Sequence, residues 1–289
     1  MFRQRLSRYL FFIPALVLMA IFAFYPTINT IYLSFFTPEG KFDPLGNYAT
    51  VLGRREMVDP RGLSRGFPLG ALPHNFIWIF IHLPLTIALG LILAVVLRNV
   101  RGKGIIQSSI FLGMVIPMVI GGLLLRFMFD KDIGIVNAFL SLFGVIPKSW
   151  TVHPNTALFA LILGSVWLWT GFSLILYSAG LGTIPQDYYD AAKVDGASPL
   201  QIFFKITLPL LRPITVVVVV MTVMWELKIF DVVYTATRGG PGGATNVLAL
   251  QMYFYAFNQF NFNYASVVAT LLLFLTILVA IPMIRRSVR

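Results

Sequence analysis

The sequence contains no cysteine, which excludes disulfides, thiolate metal sites and cysteine nucleophiles. Histidine is almost as scarce. There are three, His74, His82 and His153, and no two have the spacing that puts a pair of metal ligands on one helix face. Charge is thin too: 11% of the 289 residues are Asp, Glu, Lys or Arg, against about a quarter in a soluble domain. What fills the chain instead is apolar. Hydrophobic residues make up 58% and the mean hydropathy is +0.83, which together point to an integral membrane protein. The net charge of +11 does not read as a nucleic-acid surface. The basic residues are scattered around apolar runs, where they serve as topology signals and contacts to membrane lipid.

A spanning helix needs roughly 20 mostly apolar residues. Six stretches meet that requirement: residues 10–36, 76–97, 105–127, 156–179, 214–234 and 264–284. The predicted fold is therefore all-α and polytopic, with six transmembrane helices. Pro14, Pro26, Pro84 and Pro117 fall inside these runs, which spanning helices tolerate when neighbours satisfy the freed carbonyls. Arg3, Arg5 and Arg8 precede the first run as in a signal peptide. Its apolar region is too long for one, and no small-x-small site precedes Tyr25-Pro26, so an uncleaved anchor is expected. Arg98, Arg101 and Lys103 fill the second connection, Lys193, Lys205 and Arg212 the fourth, and Arg285, Arg286 and Arg289 follow the last run. That distribution predicts both termini and the fourth connection on the cytoplasmic side. The opposite side holds a Gly- and Pro-rich stretch, residues 37–73, expected to form a small irregular cap.

The fourth connection is the most polar part of the chain. Pro185 suits a first helical position, and Asp187 and Asp190 suit a helix N-terminal turn. Gly196 supplies a stop, Ser198 a cap and Pro199 the first position of a second helix. Leu208-Pro209 is expected to end that helix. Ala191 and Ala192 permit another surface to approach closely, while Leu200, Phe203 and Phe204 form an apolar ridge too large for so short a loop to bury. Two readings follow: a hairpin lying on the lipid surface, or a ridge fitting a groove on a soluble partner.

The order Asp190-Ala191-Ala192, three residues, Gly196, nine residues, Ile206-Thr-Leu208-Pro209 resembles the "EAA" coupling motif of ABC importer permeases, with Asp190 in place of the usual Glu. The segment from Phe230-Asp231 to Gly239-Gly240-Pro241 resembles the Phe-Asp…Gly-Gly-Pro signature of the carbohydrate-type permeases, and Phe260 to Ser266 resembles the approach to their last span. The resemblance is thus to the maltose-transporter-like branch of the type I (MetI-like) permeases. It implies a first helix and loop over residues 1–75 and a five-helix core over 76–289. Within that core the coupling loop, 181–212, would dock Asp190, Ala191, Ala192, Asp195, Gly196, Leu200, Phe203, Phe204, Leu208 and Pro209 against an ATPase. The implied partners are a second similar permease, two cytoplasmic ATPases and an external or periplasmic solute-binding protein, in a prokaryotic cell membrane. No cofactor is expected in this chain, since ATP and magnesium would belong to the ATPase. Its own Gly-Lys pairs, Gly40-Lys41 and Gly102-Lys103, are followed by Phe42 and Gly104 rather than the Ser or Thr that a P-loop needs.

Ionisable groups inside spans are functional candidates by default, which singles out Glu226, with Lys228 and Asp231 nearby. Trp225 adjoins Glu226, Thr222 lies one turn earlier, and the fourth span carries Trp169 and Phe172. Aromatic faces beside hydrogen-bonding groups suit a sugar. The resemblance places Thr222, Trp225, Glu226, Trp169 and Phe172 along the midplane site, where Glu226 replaces an uncharged amide. His82 reads as a helix-packing residue. The function expected is half of a translocation path for a sugar or oligosaccharide. Glycerol phosphate or a polyamine remains open as solute, and an ion-driven transporter or a membrane scaffold as other classes. Internal repeats, which an ion-driven fold would carry, are not seen.

Overall fold

The structure is a computed structural model that describes residues 12–287; Arg3, Arg5, Arg8 and Arg289, used above to orient the chain, lie outside the described residues. Among the described residues every regular element is helical. The first, α1 (Phe12–Ser34), is followed by a cap holding α2 (Pro44–Leu52). Then come α3 (Ala71–Asn99), α4 (Lys103–Val115), α5 (Met118–Met128), α6 (Ile135–Ser141) and α7 (Pro154–Gly182). The coupling segment contains α8 (Gln186–Val194) and α9 (Pro199–Leu210). The chain closes with α10 (Arg212–Leu227), α11 (Asp231–Thr237), α12 (Leu248–Tyr253) and α13 (Phe262–Ser287).

Four helices are individually long and apolar enough to cross a membrane, and six spans result if each bent pair counts as one. Two expected spans are corrected. The run over 105–127 is not one rod: α4 and α5 meet at 100°. Pro117 cannot donate a backbone hydrogen bond, and Ile116 before it is extended (ψ 128°), as a residue preceding proline prefers. The run over 214–234 stops at Leu227, and Lys228 to Phe230 separate it from α11. Trp225 and Glu226 therefore sit in the last turn of α10. The expected stop at Leu208-Pro209 shifts as well, because α9 continues to Leu210 before a 66° bend into α10.

The buried middle of the molecule is α7, whose small residues let neighbours close in. A Cβ on Gly171 would stand 2.8 Å from the Phe111 Cα of α4, so only glycine permits that crossing. The α3 helix lies along α7 on another side, and α5 pairs with α11. The 37–70 cap is more ordered than its composition implies. Asp43 caps α2 by accepting from the Gly46 amide at 3.0 Å. Asn47 donates to the Ser34 and Phe36 carbonyls at 2.8 and 3.0 Å, and Asn263 of α13 donates to Leu33 and Phe36 at 3.3 and 3.0 Å. These side-chain amides add donors to the carbonyls at the end of α1, of which Leu33 also accepts from the Phe36 amide at 3.1 Å. Asp59 pairs with Arg61 at 2.9 Å, and that hydrogen bond holds its pKa down to about 2.

Candidate functional site

Halfway along α7, Trp169 and Phe172 are three residues apart and share a face. On α10, Thr222, Trp225 and Glu226 stand at i, i+3 and i+4 and share another. The fold turns these faces toward each other. The Trp169 and Trp225 rings stack with centroids 4.6 Å apart and planes 17° apart, within the range of favourable aromatic pairs. Trp169 Nε1 donates to Thr222 Oγ1 at 2.8 Å, and the Phe172 ring lies 5.3 Å from Trp169. All five residues singled out in the sequence therefore occupy one cluster.

Their polar atoms do not face outward. Thr222 and Glu226 are fully buried and Trp169 is 7% exposed, whereas Phe172 and Trp225 keep part of their surface open. Glu226 Oε1 lies 2.6 Å from His82 Nδ1, with both side chains fully buried, and the His82 ring sits 5.4 Å from Trp225. In this conformation the carboxylate is held by α3 rather than offered to a solute. Glu226 is positioned from its backbone too: Asn75 Nδ2 donates to the Glu226 carbonyl at 2.9 Å, and Asn75 Oδ1 accepts from the Leu248 amide at 2.7 Å. Glu226 Oε2 has no hydrogen-bond partner among the described residues.

His82, read from the sequence as a packing residue, is thus the partner of the one buried carboxylate in the cluster. A signal for it was present, since an acid at membrane depth needs a partner from a neighbouring span. The 151 and 144 residues between Asn75 or His82 and Glu226 hid which span that would be. Lys228 and Asp231 fall outside the cluster, exposed on either side of the break after α10. Phe172 and Trp225, both half-buried, are the cluster's residues with accessible surface.

At the far end of the spans, α8 and α9 form the expected helix-turn-helix. Gly196 adopts φ +75°, the left-handed conformation that glycine takes without penalty. The Ala197 amide donates to the Ala192 carbonyl at 2.9 Å and the Gly196 amide to Lys193 at 3.0 Å, closing α8. Ser198 and Gln201 make a reciprocal capping box: Ser198 Oγ accepts from the Gln201 amide at 3.3 Å, and Gln201 Oε1 accepts from the Ser198 amide at 2.8 Å. Pro185 precedes α8 rather than starting it. Asp190 accepts from Gln186 Nε2 and Lys193 Nζ, each at 3.1 Å, and these two contacts lower its pKa.

The coupling residues divide into two faces. Ala192, expected on the outer surface, is 8% exposed, and Phe203 and Leu208 pack partly against Leu97, Leu181 and Tyr189. Leu200 and Phe204 are 70% and 60% exposed, with Ala191, Asp195, Gly196 and Pro209 also outward. The element is anchored from the end of α3, where the Arg98 guanidinium lies 4.4 Å over the Tyr189 ring.

Residues 86–288 match the family described as binding-protein-dependent transport system inner membrane components. A probable ABC transporter permease protein of Pyrococcus horikoshii is 54% identical, covering 98% of this chain and 99% of that one. The trehalose/maltose transport system permease protein MalF of Thermococcus litoralis is 34% identical over 90% of this chain and 85% of its own. The lactose transport system permease protein LacF of Rhizobium radiobacter is 33% identical over 92% and 91%. A chain of a bacterial alginate ABC transporter, solved with an alginate-bound periplasmic protein, shares the fold at a TM-score of 0.80 and 20% identity, covering 96% of this chain and 93% of that one. With a coupling element, a helical core and relatives that match from end to end, the chain belongs to the binding-protein-dependent inner membrane components, the permease subunits of ABC importers.

Proposed function

We propose that this chain forms one half of the translocation path of an importer for a sugar or oligosaccharide, working with a second, similar permease, two cytoplasmic ATPases and a solute-binding protein on the opposite side. The observation that carries the reading is the outward apolar ridge of Leu200 and Phe204 on a capped, glycine-closed element. A ridge so exposed fits a groove on another protein. The sugar assignment is supported by the half-buried aromatic side chains of Trp225 and Phe172 and by the names of the trehalose/maltose and lactose permeases among its relatives. The chain carries out no covalent chemistry; the energy comes from ATP hydrolysis on a separate subunit.

In this mechanism the α8–α9 element moves with the closing ATPases. It runs through the 66° bend directly into α10, whose last turn bears Trp225 and Glu226. Rotation of α10 at the coupling end therefore displaces the Trp225 face at the other, which alternates access for a stacked sugar. The coupling loop and both termini lie on the cytoplasmic side in this arrangement.

The test is co-purification of the ATPase with the assembled transporter carrying Leu200→Asp and Phe204→Asp together. Burying a Leu or Phe stabilises an interface by about 1.5–3 kcal/mol each, so the double variant is expected to lose ATPase by a factor of about 100 or more. Undiminished retention by the double variant would remove this face from the docking surface.

A further inference from the structure

Two adjoining cavities of about 450 and 200 Å³ lie at the coupling end and share Arg98, Asn99 and Leu181. The larger runs between the α3–α4 connection and the coupling element, reaching Tyr189, Lys193 and Phe203; the smaller reaches Lys103, Gln107 and Ser178. Neither is lined by an Asp or Glu. Lys193 is neutralised by Asp190. Arg98 and Lys103 form no ion pair with a carboxylate among the described residues. The Arg98 guanidinium rests on the Tyr189 ring, and Lys103 Nζ spends one proton on the Arg98 carbonyl at 2.9 Å, leaving two. Beside them stand the amide of Asn99 and a Gln107 amide that donates to Ser178 Oγ at 3.0 Å. Two uncompensated cations over a hollow of this size match a phosphate group, and Lys103 and Gln107 of its lining flank the exposed apolar residues Ile105 and Ile106 along α4.

We propose that these cavities form a site for a phosphate group, supplied by the headgroup of an anionic membrane lipid, that bridges the α3–α4 connection and the coupling element. The site rests on the reading of α8–α9 as a moving lever, because the bound phosphate joins that lever to α3 through Arg98. Its position against Tyr189 makes it a brake: the lever moves furthest when the phosphate leaves. A hydrogen bond to a charged group is worth about 1.5 kcal/mol or more, so losing either cation's direct bond to the phosphate lowers affinity about tenfold or more. Arg101, in the same connection but outside both linings, provides the contrast between a built site and general attraction.

The experiment measures phosphatidylglycerol retained by the whole transporter in nanodiscs of phosphatidylcholine with a phosphatidylglycerol fraction, by native mass spectrometry and without nucleotide or solute. Because neither ATP nor sugar is present, the result is independent of whether the sugar or the ATPase-docking assignment holds. Lys103→Gln and Arg98→Gln are each expected to lower retention about tenfold or more, with Arg101→Gln losing no more than the roughly fivefold of general attraction and inorganic phosphate unable to displace the lipid. Displacement by millimolar inorganic phosphate, with the same dependence on Lys103, would keep the phosphate site and assign its source to the soluble ion. Equal retention by wild type and Lys103→Gln, or an equal loss in Arg101→Gln, would overturn the site. Lys103 is exposed, so its substitution separates loss of the site from loss of the fold.

Discussion

The aromatic cluster and the coupling element handle the same problem, polar and apolar groups side by side, in opposite ways. At the cluster, Trp169 pairs with Thr222 and His82 with one oxygen of Glu226 inside the chain, Glu226 Oε2 and His82 Nε2 lack partners among the described residues, and Phe172 and Trp225 are half-buried. At the coupling element the backbone is closed locally by Gly196 and Ser198, yet Leu200 and Phe204 are left in the open. A region whose side chains are packed and paired mainly within its own chain can keep its geometry while the molecule rocks around it. A region left unfinished needs a partner and registers whether one is present. The difference places rigidity at the aromatic cluster and dependence at the α8–α9 element.

Removing a partner inside the cluster gives the largest expected effect. His82→Ala leaves the Glu226 carboxyl without the His82 nitrogen 2.6 Å away, in a position with no solvent. Stranding a buried hydrogen-bonding group costs about 1–3 kcal/mol and the cavity left by a large side chain about 2–5 kcal/mol more, enough to lower the melting temperature of the purified transporter by several degrees. Replacing both, His82→Leu with Glu226→Leu, removes the uncompensated group and recovers much of the loss. If His82→Ala melts with wild type, the cluster is not self-sufficient and the contrast with the coupling element collapses.

The two regions were also unequally legible. The coupling element could be read from local sequence because its determinants are local: a positive-φ glycine at 196, a Ser-Pro start at 198–199 and an acidic first turn on α8. Its inner and outer faces could not, since the burial of Ala192 and Phe203 depends on Leu97 and Leu181 from other helices. At the cluster, the family resemblance singled out the five residues, and the one-turn spacing set Thr222 beside Glu226. Neither revealed that Glu226 faces α3, which is a property of how α3, α7 and α10 cross. The 100° bend at Pro117 and the break after Leu227 lie within continuous apolar runs, where hydropathy reports membrane depth but not helix direction.

A smaller perturbation sharpens the comparison from the inside. Trp169→Phe keeps a ring for stacking on Trp225 but deletes the Nε1 donor to Thr222, stranding a buried hydroxyl. A lost hydrogen bond of this kind costs about 1–3 kcal/mol. The expected result is a lower melting temperature than wild type but higher than His82→Ala. Transport in proteoliposomes should show a raised KM for solute with little change in the ATPase rate without solute. A change confined to the ATPase rate would move Trp169 from the solute wall to the coupling machinery.

The smallest effect belongs to the cap of α9. Ser198→Ala removes the side-chain oxygen that accepts from the Gln201 amide at 3.3 Å and leaves Gln201 Oε1 its bond to the Ser198 amide. Half of the capping box therefore survives, and an exposed cap is worth about 1 kcal/mol. That energy falls on the start of α9, which few contacts hold to the rest of the molecule, and not on the spans. The melting temperature should stay within error of wild type, while retention of the ATPase falls up to about fivefold because Leu200 and Phe204 are presented from a frayed first turn. Restoring the cap with Ser198→Asp should return retention toward wild type, since Asp accepts from the same amide. Global destabilisation by Ser198→Ala would mean that α9 is built into the core in the way the aromatic cluster is, and the division between a finished and an unfinished end would have to be redrawn at the bend before α10.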